Sequence, residues 1–409
     1  MARNVIDREL SHLMSAKAHL KIDGRGFAGP SPDTVFGDGD GAARRPHQVG
    51  GRMRFGIATQ SDDAEIRRLL RENPMAGAIS LSLEREPDYF ADADLEGEAK
   101  QTIIAREGER VVCAGSCVVR ERFVNGKPCR VGYLGGLRLD ARWAGRFDIL
   151  RRGYGFFREV QAAAPADFYF TSVASDNERA RWFLERGLPG MPKYEFVGEF
   201  VTVLLSTRGR GRGAGAHEED VPAEEVVALL NEHNRRYQFA PFWTEAGLKA
   251  LEPLGLRPGD FYVGRNSVGV VGAGIWDQRV FKQTVIRGYA TPLRQARPVL
   301  NFAGRLARGV RLPKVGETVA NALVVNLTGA GKPEPMVQLV KALLGIAEGR
   351  GVEMLTLGLA ANDVRLAWLQ KYFRGREYRS RLYLVRWPEF GGAARDLDGR
   401  ILSPEVAWL

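Results

Sequence analysis

Residues 137–157 (LRLDARWAGRFDILRRGYGFF) carry the residue types and spacing in this 409-residue chain best suited to chemistry. A strand passes into a loop holding Arg142, Gly145 and Arg146 and then directly into a helix from about Asp148 to Ala163. A loop that feeds a helix amino terminus presents backbone N–H groups and the positive end of the helix dipole. Gly145 permits close approach of the backbone, and the two guanidiniums add charge. Together these suit a pyrophosphate. The same residues also read as a plain strand-to-helix turn, because one glycine loop is a weak signal by itself.

Other chemistry finds less support. Five histidines (His12, His19, His47, His217, His233) show no metal-ligand spacing, so no metal is expected. No GxSxG elbow is present, and Gly115–Ser116–Cys117 inside a strand reads as core packing. The stretch GAGKP at 329–333 lacks the spacing of a nucleotide P-loop and the hydroxyl residue after its lysine. Tyr237, Phe239, Phe242 and Trp243 read as a core or interdomain cluster before an acceptor pocket.

Several elements must position the loop. MRFGIA from Met53 reads as a strand, and Ser61 with Glu65 opens the helix DDAEIRRLLREN. QTIIARE and RVVCAGSCVVRERF form a hairpin. Residues 129–139 (CRVGYLGGLRL) form the next strand, and Gly135–Gly136 within it suggest a bulge or a close approach by a ligand or another backbone. DFYFTSV is a strand, SDNERARWFLERG a helix capped at Asp176 or Asn177, and EFVGEFVTVLL a strand. The same order then recurs. Residues 103–120 align without gaps on 262–279, an offset of 159 (Val111 to Val270). ASDNERARW ending at Trp182 aligns on AANDVRLAW ending at Trp368, an offset of 186. The later copy therefore carries about 27 additional residues, matching the segment 291–317. The fold class is α+β: two tandem copies, each a mixed, mostly antiparallel sheet flanked by helices. The expected division is a flexible extension over 1–51, a first domain over 52–206, a Gly/Arg linker over 207–221 and a second domain over 222–409. A further short strand is expected in the tail before Leu409.

The order strand, Arg142-x-x-Gly145-x-Phe147, helix, strand, then Asn177 opening a helix resembles the GNAT superfamily of N-acyltransferases, and GYLGGLRLDARWAGRFDILRRGY resembles bacterial proteins with two such domains in tandem. The resemblance covers residues 53–206 in the superfamily's order of elements. It implies that an acyl-coenzyme A, expected to be acetyl-CoA, lies between splayed strands at 131–139 and 168–174. It further implies that the backbone of Leu137, Arg138 and Leu139 holds the pantetheine arm. N–H groups of Arg142, Trp143, Ala144, Gly145, Arg146 and Phe147 would cradle the pyrophosphate, and the Asn177 side chain would contact pantetheine. Two departures matter. Phe147 stands where the family has Gly or Ala, and Leu184 stands where it often has a tyrosine acid seven residues after the asparagine. Tyr133 and Tyr194 are the substitute acids, against a reading of both as ordinary strand aromatics. In the second copy, Arg142 falls on Thr328, Gly145 on Gly331 and Phe147 on Pro333. Pro333 and Pro335 have no N–H to donate, so one coenzyme site, in the first copy, is expected.

Composition sets the remaining bounds. The net charge is +10, yet the basic residues are interspersed with acidic ones except at RGRGR, 208–212, so a basic solvated surface outweighs a nucleic-acid partner. Three cysteines give no disulfide framework, and Cys113 and Cys117 read as buried thiols. No apolar run is long enough to span a bilayer, and the first twenty residues lack a secretory pattern, so a cytoplasmic location is expected. The functional reading is transfer of an acyl group to a primary amine of a small molecule, peptide or protein by direct attack. The alternatives are a longer-chain N-acyl amino acid synthase and a non-catalytic acyl-CoA-binding or scaffold protein.

Overall fold

The chain's alternating strand segments assemble in sequence order up to one point, and there the two halves interlock. The computed structural model describes residues 53–93, 95, 98–209, 221–266, 269–306, 311–329, 331–390 and 396–409. The extension over 1–51 and most of the linker over 207–221 lie outside the described residues. The first half runs β1 (Arg54–Ile57), α1 (Asp63–Glu72), β2 (Ile79–Glu84), β3 (Glu98–Glu107), β4 (Arg110–Val124), β5 (Lys127–Leu139), α2 (Phe147–Ala162), β6 (Phe168–Ala174), α3 (Glu178–Glu185) and β7 (Lys193–Ser206). The second runs α4 (Ala223–Asn234), β8 (Ala240–Pro241), α5 (Glu245–Ala250), β9 (Phe261–Asn266), β10 (Gly269–Trp276), β11 (Gln283–Tyr289), α6 (Thr291–Leu306), β12 (Asn321–Val325), α7 (Pro333–Gly349), β13 (Met354–Ala360), α8 (Val364–Tyr372) and β14 (Gly375–Arg386).

The duplication is visible in the element boundaries. α2 and α7, β6 and β13, and α3 and α8 each begin 186 residues apart: 147 to 333, 168 to 354 and 178 to 364. At the hairpins, Arg106 faces Val111 and Arg265 faces Val270, as the ungapped alignment requires. The 291–317 segment holds α6, which begins at Thr291. Asn177, rather than Asp176, caps α3 by accepting from the Ala180 N–H at 3.2 Å. Ser61 does not cap α1; Thr59 and Asp62 close that turn, with the Thr59 N–H donating to Asp62 Oδ2 at 2.9 Å. Among the described residues the tail forms no further strand, only an isolated parallel bridge between Leu402 and Gln238. Pro404 removes a ladder donor, and Glu405 caps a single 3₁₀ turn, Val406–Trp408.

The sheets of the two halves are one. The order is β1-β3-β4-β5-β6-β14-β7-β13-β12-β10-β9, with β8 on β4 and a separate β2–β11 ribbon. β14, the last strand of the second half, lies between β6 and β7 of the first, while β7 pairs on its other edge with β13. The core under α2 consequently mixes halves: Ile149, Leu150 and Phe157 pack with Tyr383, Val385 and Trp387. Leu382 on β14 is fully buried beside Phe170 and Phe200. Leu382→Ala should lower stability by about 2–5 kcal/mol. Because the sheet is shared, denaturation should remain one cooperative transition; two transitions, only one of them shifted, would contradict the interlocked architecture.

Candidate functional site

β5 and β6 run parallel and in register from Val131–Phe168 to Leu134–Thr171, where the Thr171 hydroxyl donates to the Leu134 carbonyl at 2.7 Å. Beyond that rung they separate. On its other edge β5 bulges: Ala114 faces Arg138 and Ser116 faces Gly135, leaving Gly136 and Leu137 opposite Gly115. Gly136 has φ +66°, a left-handed conformation that glycine adopts without strain, so the glycine pair has the bulge its sequence suggested. The consequence is a wedge whose walls are the unpaired side of β5 over 135–139 and the end of β6.

The loop after β5 is folded around Asp140. This buried carboxylate accepts from the Arg142 N–H at 3.1 Å and from the Arg142 guanidinium at 3.0 Å, and Arg110 adds a contact at 3.2 Å. Burial pushes the Asp140 carboxyl upward in pKa, but the bonds from Arg142 and Arg110 outweigh it and hold the group below the usual carboxylate range. The loop serves most of its own donors. The N–H groups of Trp143, Ala144, Arg146 and Phe147 donate to the carbonyls of Asp140, Ala141, Trp143 and Gly145. The Gly145 N–H, at φ +89°, has no acceptor among the described residues. The Arg142 and Arg146 side chains are more than half exposed, the second paired with Asp148. Phe147 turns its ring onto Phe183 of α3, stacked at 5.0 Å, away from the loop.

The wedge opens into a cavity of about 410 Å³. Leu137, Arg138, Leu139 and Ala144 line it; Arg142, Trp143, Gly145, Arg146, Phe147 and Asn177 lie outside its wall. Asn177 is buried, and while its amide oxygen caps α3, its Nδ2 has no partner among the described residues. Tyr133 and Tyr194 both line the cavity. Burial pushes the Tyr133 hydroxyl up to about 12 and the Tyr194 hydroxyl well above the ordinary phenol value. Tyr194 shares a 2.5 Å hydrogen bond with the Tyr154 hydroxyl, itself raised to about 12 by burial. Such phenols are good hydrogen-bond donors and poor proton donors to a thiolate, whose reference value is near 8.5. Leu184 is buried on the same wall. Sequence reasoning missed Tyr154, which reads as an ordinary helix residue, and Tyr378 and Ser380, which reach the cavity only because β14 crosses into the first half. The Tyr237, Phe239, Phe242 and Trp243 group does not line the cavity; Phe239 and Trp243 are core residues. Cys113 and Cys117 are buried, and burial raises the Cys113 thiol to about 12. Among the described residues no cluster of His, Cys, Asp or Glu could hold a metal, and no helix is long and apolar enough to cross a membrane.

The second copy fills the corresponding place from within. β12 and β13 pair through Leu323–Thr356, one rung short of the equivalent of Leu134–Thr171, so these strands part as β5 and β6 do, but other groups of the chain occupy their ends. Thr328 is buried and bound to Gly272 on β10: its N–H donates to the Gly272 carbonyl at 2.7 Å, and its hydroxyl accepts from the Gly272 N–H at 2.6 Å. Arg365 is buried against Asp363 and donates to the Leu327 carbonyl at 2.6 Å. The tail packs over the end of β12, where Glu405 accepts from the Asn326 N–H at 2.6 Å. Pro333 and Pro335 sit in the first turn of α7 and have no N–H to donate.

No protein-family model and no curated protein sequence matches the chain. Among solved structures, Saccharomyces cerevisiae N-myristoyltransferase with bound myristoyl-CoA is similar at TM-score 0.52 and 10% identity, over 82% of this chain and 83% of that one. A tandem GNAT protein of the clavulanic acid biosynthesis pathway aligns at TM-score 0.48 and 11% identity, over 82% and 98%. A GCN5-related N-acetyltransferase of Kribbella flavida aligns at 0.40 and 13%, over 83% and 72%. The chain therefore shares the fold of this N-myristoyltransferase, in a two-copy α+β arrangement.

Burial raises the Glu405 carboxyl to about 7. The folded chain thus keeps a proton that the unfolded chain releases near the ordinary glutamate value of 4.5, and stability should decline as pH rises between those values and level off above about 7. Glu405→Gln should flatten that part of the profile. Thermal denaturation from pH 4.5 to 8 tests it, and an unchanged slope in the variant would show that Glu405 does not titrate as described.

Proposed function

We propose that this chain is an acyl-CoA-dependent N-acyltransferase with one coenzyme site, in the copy spanning 52–206, and that the copy spanning 222–409 completes its acceptor side. The observation that carries the reading is the wedge between β5 and β6, open beside a bulge and ending at an arginine-bearing loop before α2. A thioester arm placed in the wedge would lie along the unpaired edge of β5, and a pyrophosphate at the loop would meet the Gly145 N–H and the Arg142 and Arg146 guanidiniums. Binding there exchanges Asp140's hold on Arg142 for phosphate oxygens. Asn177 Nδ2 is a donor awaiting an acceptor, in keeping with a contact to the arm.

The chemistry is direct attack. A neutral primary amine adds to the thioester carbonyl, backbone N–H groups at the 135–139 bulge hold the oxyanion, and collapse breaks the C–S bond. The amine proton leaves through water, and Tyr133 and Tyr194 act as hydrogen-bond donors to the departing sulfur. Acetyl-CoA is the proposed donor. A longer acyl chain is the second reading, favoured by the apolar wall that Phe55, Ile103, Phe157 and Leu184 give the cavity.

Acetyl-CoA should raise the melting temperature, and thiol release should appear with pooled primary amines. Gly145→Glu places a carboxylate side chain at a left-handed position in the loop and should abolish both effects. A chain-length series of acyl-CoAs decides between the donors. Absence of any thermal shift or calorimetric heat with every acyl-CoA would overturn the reading, whereas binding without thiol release would favour the non-catalytic alternative.

A further inference from the structure

Charge balance around the cavity singles out one group. The carboxylates that line it are matched within the protein: Glu72 by Arg68 and Arg110, Glu84 by Arg287, and Asp92 by Arg85 and Lys100. Arg138 lines the same cavity, yet its guanidinium makes a single hydrogen bond, to the Leu137 carbonyl at 3.1 Å, and faces no carboxylate among the described residues. Burial lowers its pKa to about 10, which leaves it a cation at neutral pH. A half-buried cation that faces no counter-charge is favourable ground for a ligand anion, which would be its partner.

Direction says which ligand. Arg138 faces Ala114 across the β4–β5 ladder, and facing residues share one side of a sheet. Ala114 packs with Ile66, Leu69 and Tyr89, on the α1 side. Leu139, the next residue, packs with Ile149 and Leu150 under α2. The Arg138 side chain therefore lies across the sheet from the α2 amino terminus and the phosphate-binding loop proposed above. It shares its side with the wall that Tyr89, Glu84 and Arg85 provide.

We propose that Arg138 binds the carboxylate of the amine acceptor, so that the acceptor is a free amino acid. The inference rests on the acyltransferase reading. The planar guanidinium grips a carboxylate through two parallel hydrogen bonds and so fixes its orientation. The amino group is then held toward Gly135–Gly136, where the β5 backbone is bare of side chains. The amine nitrogen forms its bond to the thioester carbonyl carbon as the C–S bond breaks. The proton lost by the amine goes through water to the thiolate, and the carboxylate is unchanged.

The test pairs each acceptor with its own amide. Glycine, L-alanine, L-leucine and L-phenylalanine are compared with glycinamide, alaninamide, leucinamide and phenylalaninamide, by thiol release from acetyl-CoA. The same ligands are titrated directly onto the full chain by ligand-observed NMR. The wild type should favour at least one amino acid over its amide by roughly ten- to hundred-fold in kcat/KM. Arg138→Gln should erase that preference through KM, bringing the acid down to the level of its amide; Arg138→Lys should restore part of it. Melting temperatures establish that both variants fold. Equal use of acids and amides by the wild type would overturn the proposal, as would an Arg138→Gln variant that keeps the preference. If acetyl-CoA neither binds nor reacts, the acyltransferase reading falls by itself. Arg138-dependent binding of an amino acid over its amide would then still sustain the carboxylate site, and its absence would remove it.

Discussion

The ladder between β7 and β14 is the interaction on which the rest of the structure depends. It runs from Gly375–Leu205 to Arg386–Lys193 with one register shift, and it joins strands from opposite halves of the chain. Its effect on the wedge is direct. Ser172, Val173 and Ala174 at the end of β6 have lost β5 as a neighbour, and they are held on their other edge by Leu382, Arg381 and Ser380 of β14. A strand end unpaired on both edges would expose its backbone groups and would not stay extended. The opening between β5 and β6 is thus sustained by a strand encoded some two hundred residues later.

That dependence explains which parts of the architecture could be read from the residues and which could not. Local signals were legible. Gly135–Gly136 marked the bulge, Asn177 marked a cap, and the 186-residue offset aligned the starts of α2 with α7, β6 with β13 and α3 with α8. Partner choice was not legible, because EFVGEFVTVLL and YRSRLYLVRW carry alternation but nothing that names a neighbour. Tyr378 and Ser380 were assigned with the second copy for that reason. The tail misled in a different way. Its apolar residues suggest a strand, whereas Pro404 and the left-handed Glu405 (φ +63°) turn it into a cap on β12.

The candidate site was legible in place and less so in state. The loop over 140–147 stands where the residues put it, at the mouth of the wedge, but its N–H groups are mostly turned inward. The cause is Asp140, a small acid able to gather Arg142, Arg110 and the loop backbone around one buried carboxylate. Nothing in the spacing Arg142-x-x-Gly145-x-Phe147 reveals that competition. The tyrosines behave similarly: their positions were identified, but their hydroxyl chemistry is set by burial and by Tyr154, which no motif includes.

The two copies also show how one fold can hold opposite solutions to the same physical problem. Parting two parallel strands leaves backbone groups unsatisfied and opens a void, and protein interiors tolerate neither well. The second copy parts β12 and β13 after Leu323–Thr356, but it binds Thr328 to Gly272 and seats Glu405 and the following 3₁₀ turn over the strand end. The first copy leaves the gap and surrounds it with groups whose partners are incomplete: the Gly145 N–H, Asn177 Nδ2 and the Arg138 guanidinium. Each of these could have been satisfied by a neighbour, as Arg365 is by Asp363 in the second copy. The difference between the copies lies in what packs against the parted strand ends, not in whether the strands part.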